Sequence, residues 1–532
     1  MYPFQSLEDI DNGVSGYSKE YLSRNVTTST LSFLGGKLYS SHVNSVLGFK
    51  NTFADKAIAK TLSKFKHVAT AGNANSKLEE VKFIILTDPA EQRVRDFYLD
   101  VNSKVVSQEN SLNSFRPSKT TVSKNVIQPE LRFPGFKDPW HTKTLKQLCE
   151  WSKGSDLQKD KLNYEGKGEL ALHYAQLFSF GNFIFPKDIV TYTESNEGVY
   201  IPLNSLLFAD SCKTPSALAI TSAIDTPNVR ASSGTIIGSM NKRTDASFIS
   251  FQLNWKKHLF TPYITGTGVG HISAKGLSCI KVNVTSLEEQ QKIGNFFKDI
   301  DEIISESKKV NKVFLEIRNS LAYQMTANSL EEAPNLRFSS YKEKWKRVLL
   351  SDIVEIMGGG TPLTTNPEFW EGGTVNWFTP AEIENNKVYI SDSERKITEA
   401  GLKSSSAKIL PINSVLFTSR ASIGKAAILS AEASTNQGFQ SFIPKEGKSL
   451  TYFIYLLTAR VKDFALKNAT GTTFLEVSSS TLKSMLVRIP SLEEQEKIAK
   501  LFADLDKLYE TRSSYIKNIE LLKQALLQRM FI

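Results

Sequence analysis

The side chains best suited to chemistry lie in the last third of the chain. TSRASIGKAAI at 418–428 sets Arg420 and Lys425 around a small Ser-Ile-Gly turn. Small turn residues allow close backbone approach, and cationic groups beside them pair with phosphates or with the acceptor edge of guanine. STNQGFQSF at 434–442 then presents Asn436 and Gln437, amides able to bridge an adenine edge. Polar turn residues also cap strands, and that reading stands beside the binding one. Upstream, Lys153, Lys159, His173, Tyr174, Gln176, Lys213, Lys242 and Arg243 occupy comparable loops with a weaker pattern. The turns Gly266-Thr267 and Gly471-Thr472 serve equally well as punctuation or as phosphate contacts.

Motifs for catalysis are missing. No G-x-x-x-x-G-K-[ST] loop occurs, since Gly358, Gly359 and Gly360 run into Thr361-Pro362 without a lysine. Asn366-Pro367-Glu368-Phe369 approximates a motif that positions a flipped adenine, but glutamate replaces its second proline and no glycine-rich cofactor loop precedes it. Asp156 with Glu165-Gly166-Lys167 mimics a nuclease triplet, yet its flanks read as solvated loop. The six histidines lack H-x-x-x-H spacing, no G-x-S-x-G elbow appears, and three dispersed cysteines offer neither a zinc knuckle nor a disulfide framework.

Composition agrees with binding. Lys and Arg exceed Asp and Glu by 10, which favours an anionic partner such as nucleic acid. The opening MYPFQSLEDIDNG has acids where a secretory leader needs bases, and no run of about 18 apolar residues follows. The expectation is a cytoplasmic protein without membrane spans.

The elements that must carry these residues come in two copies. PELRFPGFKDPW at 129–140 returns as PNLRFSSYKEKW at 334–345, and SLEEQQKIGNFFKDID at 286–301 returns as SLEEQEKIAKLFADLD at 491–506. Both recurrences have an offset of 205 residues. Between them, IKVNV at 280–284 matches MLVRI at 485–489, and PLNSLLF at 202–208 matches PINSVLF at 411–417. Each copy is therefore a variable block followed by a well-kept helix.

In both helices Ser286 or Ser491 is followed three residues later by Glu289 or Glu494, a capping-box start. Apolar residues then recur at three-four spacing: Ile293, Phe297, Ile300, Ile304, Phe314, Ile317, Leu321 and Met325 in one, and Ile498, Phe502, Leu505, Tyr509, Ile516, Ile519, Leu522 and Leu526 in the other. About 40 residues at 1.5 Å each give ~60 Å, too long to be held by one small block, so the helices pair antiparallel. Ser307, Asn311 and Arg512 interrupt the seam and read as breaks at the surface.

The expected fold class is α+β: two tandem mixed α/β domains, 129–285 and 341–490, joined by helices 286–328 and 491–532 in a pseudo-two-fold coiled coil, with 329–340 as linker. Residues 1–104 read as a small additional α/β segment, with a strand at 78–89 and a helix at 90–101, and 105–128 as a Ser/Thr/Asn-rich linker.

With this duplication, the P-x-L-R-F entry, the N-S-[LV]-L-F strand and the S-L-E-E-Q-x-K-I helix start, residues 129–532 closely resemble the specificity subunit of type I restriction-modification systems. GGGTPLTTNPEFWEGGTVNWFTPAEI at 358–383, RASIGKAAI at 420–428 and TNQGFQSFIP at 435–444 are similar to one common type of target recognition domain, and LHYAQLFSFG at 172–181 resembles the opening of another. The resemblance implies a non-catalytic reader of double-stranded DNA, each domain taking one half of a bipartite asymmetric site. It adds Thr361, Thr364, Thr379, Ser419, Ser422 and Thr472 to the DNA-contact set. It also makes Ile293, Phe297, Ile300, Ile304, Ile498, Phe502, Leu505 and Tyr509 docking residues for two modification subunits, with two endonuclease/translocase subunits joining for restriction. This chain would bind no cofactor; S-adenosylmethionine, ATP and magnesium would belong to those partners. Residues 1–128 precede the family's usual start. The alternatives are a coiled-coil scaffold without specific DNA binding, or a decayed or fused specificity subunit.

Overall fold

The computed structural model describes residues 68–70, 128–384, 386–471 and 475–531. It divides into two units, Thr87–Lys308 with Ser514–Ile532, and Met1–Leu86 with Lys309–Ser513. Four helices recur below: α1 (Ala246–Trp255), α2 (Leu287–Gln324), α3 (Thr451–Asn468) and α4 (Leu492–Met530). The unit boundary cuts both long helices near their middles, whereas the sequence reading kept each with the block before it.

In the first unit a five-stranded sheet runs Cys149–Lys153, Thr235–Met240, Ser205–Ala209, Ser222–Ile224, Phe183–Ile184. All pairs are antiparallel except the last. Its central strands are buried on both faces because α1 covers one of them; at Gly238 within Thr235–Met240 the Trp151 ring packs 3.3 Å from the place a Cβ would occupy. A second sheet of four strands includes the parallel pair Glu169–Leu172 and Val229–Ala231. The second unit repeats the plan. Val354–Gly358, Gln440–Pro444, Val415–Phe417, Ala426–Leu429 and Tyr389–Ile390 form the five-stranded sheet with the same pairing senses, and Val375–Phe378 lies parallel to Ala433–Thr435 in the smaller one.

The recurring sequence motifs prove to be structural joints. In each P-x-N-S turn the asparagine, Asn204 or Asn413, has φ of 53° or 70°, a left-handed value that asparagine tolerates well. The following serine hydroxyl, Ser205 or Ser414, donates to the proline carbonyl at 2.7 Å. Ser286 and Ser491 do cap their helices, accepting from Glu289 N–H at 3.4 Å and Glu494 N–H at 3.3 Å. The glutamates, however, do not reach back to the serines. Glu289 takes a bidentate fork from Arg132 at 2.8 and 2.7 Å, and Glu494 takes one from Arg337 at 2.7 and 2.8 Å. The P-x-L-R-F entry and the S-L-E-E-Q start are thus two halves of one buried ion pair. The next residue closes the joint: Gln290 accepts from Asp245 N–H and donates to the Arg243 and Thr285 carbonyls, while Gln495 accepts from Leu450 N–H and donates to those of Lys448 and Pro490.

Within each unit the halves of the long helices run antiparallel. In the first, Asp301 pairs with Lys523, and Lys308 with Glu520 at 2.6 Å. In the second, Asn311 donates to Ser513 at 2.9 Å and Arg318 forks onto Asp506 at 2.7 Å through both nitrogens. The polar interruptions are not surface breaks. Ser307, Asn311 and Arg512 are only 7%, 7% and 3% exposed, so they form polar positions inside the pair.

The expected linker 329–340 is also more than a connection, since Leu336, Arg337 and Phe338 are buried. In residues 1–127 only the strand Val68–Thr70 is described; it pairs antiparallel with Leu336–Phe338. The strand expected at 78–89, the helix at 90–101 and nearly all of the linker at 105–128 lie outside the described residues.

Candidate nucleic-acid interface

In each unit the end of the five-stranded sheet away from the long helices carries a cluster of loops. In the second unit this cluster forms from short backbone bonds: Gly360 N–H to Thr435 O, Asn436 N–H to Phe378 O, Ser419 N–H to Gly438 O, and Ala421 N–H to Leu475 O. Gly359 is required there, because a Cβ would lie 2.2 Å from the Asn436 carbonyl. Thr361, Thr379, Ser419, Arg420, Ser422, Lys425, Asn436 and Gln437 are thereby brought together, with Thr364 exposed on the adjoining loop. Thr472 lies outside the described residues.

Several of these groups are already committed. Thr379 caps a short turn with Glu382, whose carboxylate accepts from both its N–H and its hydroxyl. Asn436 Oδ1 accepts from Gly438 N–H at 2.9 Å, so the strand-capping reading of that amide is correct. Thr361 donates to Gln437 Oε1, leaving the Gln437 amide NH₂ outward. Ser419 is fully buried, which corrects its assignment as a DNA contact. The side chains that remain presented are Arg420, Ser422 and Lys425, on a hairpin that turns through Ala421 at φ 60° and Gly424 at φ 96°, and Gln437, on the turn before Gln440–Pro444. Asn366 caps Pro367–Phe369 by accepting from Glu368 N–H, a local turn.

In the first unit Lys153 and Lys159 are exposed and His173 half-buried at the corresponding end. Gly154 packs there against the Ser232 carbonyl as Gly359 does against Asn436. His173 Nδ1 accepts from Ala175 N–H, and the His173 N–H donates to Gln176 Oε1 at 2.8 Å, the same cap that Thr379 makes with Glu382. Burial, helped by the Lys159 charge, holds His173 below the ordinary imidazole value. Tyr174 N–H donates to Ser232, and its ring fills the space beside Gly234. Lys213 is exposed next to the short strand Ser211–Cys212.

Lys242 and Arg243 belong elsewhere. They follow Met240, whereas Lys153 pairs with Ile236 near the other end of the same strand, roughly 15–20 Å away at ~3.3 Å per residue. The Arg243 carbonyl instead accepts from Gln290 at the start of α2. The sequence reading placed them with the other loops because a basic pair after a strand carries no mark of which sheet end it occupies. It missed Ser232 and Ser233, which stand where Asn436 and Gln437 stand, and also Glu382, His271 and Glu476. Serines in a strand-to-strand turn resemble punctuation; only the alignment of ASSG at 231–234 with TNQG at 435–438 could have found them.

The expected docking residues mostly face inward. Ile293, Phe297, Ile300, Ile498, Phe502 and Leu505 are at most 1% exposed, which takes them out of any docking surface; Ile304 and Tyr509 are half-buried. The opposite stripe of α2 is open. Lys292, Asn295, Phe296, Lys298 and Asp299, with Phe133, Phe183 and Phe185, line a groove of ≈ 740 Å³. Lys292 lies 5.2 Å from the Phe133 ring and Lys298 4.6 Å from that of Phe183. The second unit repeats part of this arrangement, with Lys497 5.1 Å from Phe338 and 5.4 Å from Tyr341.

Comparison with known proteins bears on this geometry. The family model described as "Type I restriction modification DNA specificity domain" matches residues 137–314 and 342–521. The MjaIX specificity subunit of Methanocaldococcus jannaschii is 40% identical over 190 residues, 35% of this chain and 44% of that protein. The EcoR124I/EcoR124II specificity subunit of Escherichia coli is 30% identical over 178 residues, 32% and 43% of the two chains. The chain thus spans less than half the length of these curated relatives. In fold it is similar to the specificity subunit structure from M. genitalium, with a TM-score of 0.50 and 16% identity over 76% of this chain and 99% of that one. Among the described residues no helix is long and apolar enough to cross a membrane.

Proposed function

Since the chain belongs to the family of type I restriction-modification DNA specificity domains, we propose that it is the DNA sequence-recognition subunit of such a complex, each block reading one half of a bipartite asymmetric site. The observation that carries this reading is the repetition of one backbone plan with different side chains at the same sheet end: Ser232-Ser233 against Asn436-Gln437, and His173-Gln176 against Thr379-Glu382. A shared framework with exchanged loop side chains is what two readers of different half-sites require. Lys425, Lys153, Lys159 and Lys213 supply cations for the phosphates of double-stranded DNA, and Gln437 an amide for a base edge.

Catalysis is proposed to reside in partners. Two modification subunits would bring S-adenosylmethionine, and two endonuclease/translocase subunits would bring ATP and magnesium for restriction in the cytoplasm. Docking is assigned to the outward stripe of α2 around Lys292, Asn295 and Lys298, and to its counterpart around Lys497 and Tyr341, in place of the buried seam. An aromatic groove rimmed by lysines suits an apolar segment flanked by acids.

The test is co-expression with a cognate modification subunit, followed by genome-wide mapping of methylated adenine by single-molecule sequencing. The expected result is a two-part motif with a fixed gap. Methylation without a bipartite motif would overturn the reading.

A further inference from the structure

The loop ends of the two units share one further feature that sequence reading did not single out. In the first, Asp210 N–H donates to Gly234 O at 2.9 Å, Ile272 N–H to Asp210 O at 2.9 Å, and Thr265 and His271 exchange backbone bonds at 2.9 and 2.8 Å. In the second, Ser419 N–H donates to Gly438 O at 2.8 Å, Val477 N–H to Ser419 O at 3.0 Å, and Thr470 and Glu476 exchange bonds at 3.0 and 2.9 Å. This backbone frame holds one cross-strand pair in each unit at the same place: His271 opposite Ser211, and Glu476 opposite Arg420.

The frame is common and the side chains are not. The Arg420 and Glu476 side chains are 44% and 47% exposed, with Nε 3.8 Å from Oε2, an ion pair without a hydrogen bond that places the carboxylate beside the guanidinium and leaves its fork open. His271 is exposed beside Ser211, whose hydroxyl donates to Asp210 at 2.9 Å. Three other polar groups nearby are turned inward, Asn436 onto Gly438 N–H, Thr379 onto Glu382, and Ser419 into the interior, while Ser422, Lys425 and Gln437 stay presented beside Arg420. Side chains directly opposite on adjacent strands lie roughly 5 Å apart at Cβ, and the backbone bonds hold that spacing.

We propose that this cross-strand pair is the specificity-determining position of each block, with Arg420 reading a guanine in the half-site of the second block, Glu476 positioning it, and Ser211 with His271 making the corresponding choice in the first. The proposal rests on the recognition function proposed above. An arginine fork matches the O6 and N7 acceptors of guanine, and a serine-histidine pair at the same place cannot make that bidentate contact.

The full chain assembled with its modification subunit tests this through the variants Arg420→Ser, Glu476→Gln and the transplant Ser211→Arg with His271→Glu. Methylation mapping is expected to show Arg420→Ser relaxing one base position, Glu476→Gln broadening that same position, and the transplant altering only the other half-site. On duplexes carrying 7-deazaguanine at each guanine in turn, the unsubstituted complex is expected to lose affinity at one guanine, by less than the roughly 5- to 150-fold range of a whole bidentate base contact because O6 remains. Arg420→Ser should be indifferent to that replacement. Identical motifs for the unsubstituted chain and Arg420→Ser, or equal sensitivity at every guanine, would overturn the proposal and leave the recognition function standing. A chain that directs methylation with no bipartite motif would remove the recognition function itself. Arg420 and Glu476 are half-exposed, so both single variants retain the fold even where the transplant does not.

Discussion

Arg318 of α2 and Asp506 of α4 meet in a buried fork, with Tyr452 of α3 donating to the same carboxylate. At an offset of 205 residues in each member, Lys523 of α4 meets Asp301 of α2, and Asn182 donates to that carboxylate at 3.0 Å. The two pairs are the same joint in two chemistries, and only the first has the planar bidentate geometry of arginine. In both, a side chain of the recognition block completes the contact, so helix pairing and block seating are coupled.

Removing one partner of a buried ion pair leaves an uncompensated charge, at a typical cost of about 3–5 kcal/mol. Asp506→Ala is expected to destabilise by that order in urea unfolding. Lys523→Ala should cost less, because Lys523 and Asp301 are 17% and 20% exposed at their side chains against 8% and 13% for Arg318 and Asp506. Equal costs would refute the difference in burial as its cause.

The two groups of basic residues should separate in DNA binding. Lys425→Ala is expected to weaken binding and to reduce the slope of log affinity against log salt by about 1, as for one lost phosphate contact. Lys242→Ala with Arg243→Ala should leave the slope unchanged, because those side chains sit at the helix end of the sheet. Anisotropy titrations across a salt series decide the matter; a slope that falls with the second pair would return it to the interface.

The pH dependence of His173 has a defined sign. Its pKa in the folded protein is below the free value of 6.5, so the unfolded chain binds the proton more readily. The stability tied to His173 is fully present above pH 6.5 and is lost as pH falls through the lower folded value. An imidazole NMR titration should find the midpoint below 6.5, and Lys159→Ala should raise it while burial keeps it depressed. A midpoint unmoved by Lys159→Ala would remove the charge contribution.

The docking stripe is open to direct challenge. Lys292→Glu is expected to reduce co-purification of the modification subunit without changing the melting temperature, since Lys292 is exposed at the rim of the groove. Unchanged co-purification would move docking to another face.

Much of this architecture was legible because duplication states it twice. The 205-residue offset located both helices, both entry strands and the paired Arg132/Arg337 and Glu289/Glu494 before any partner was known. The partnership itself was not legible: those charges are 157 residues apart, and a glutamate three residues after a serine looks like a cap whether or not it serves as one. The loops at the sheet ends were legible as loops, but the partners of their side chains were not. Sequence shows that Asn436 and Thr379 are polar, but Gly438 N–H and Glu382 claim their oxygens, and only folding reveals the claim. The buried polar layer of Ser307, Asn311 and Arg512 was misread because polarity within an apolar seam suggests solvent until a second helix is seen to cover it.

Gln290 and Gln495 touch their blocks only through main-chain atoms: a peptide N–H at the start of α1 or α3 and two carbonyls. Such a fastener is indifferent to what the block is made of. At this fastener a block of different sequence would seat if its backbone followed the same path, while the side-chain contacts of Tyr452 with Asp506 and of Asn182 with Asp301 would still have to be matched. The joint to the helices thus fixes the path of the main chain at one end of each block and leaves the side chains at the far sheet end free to differ.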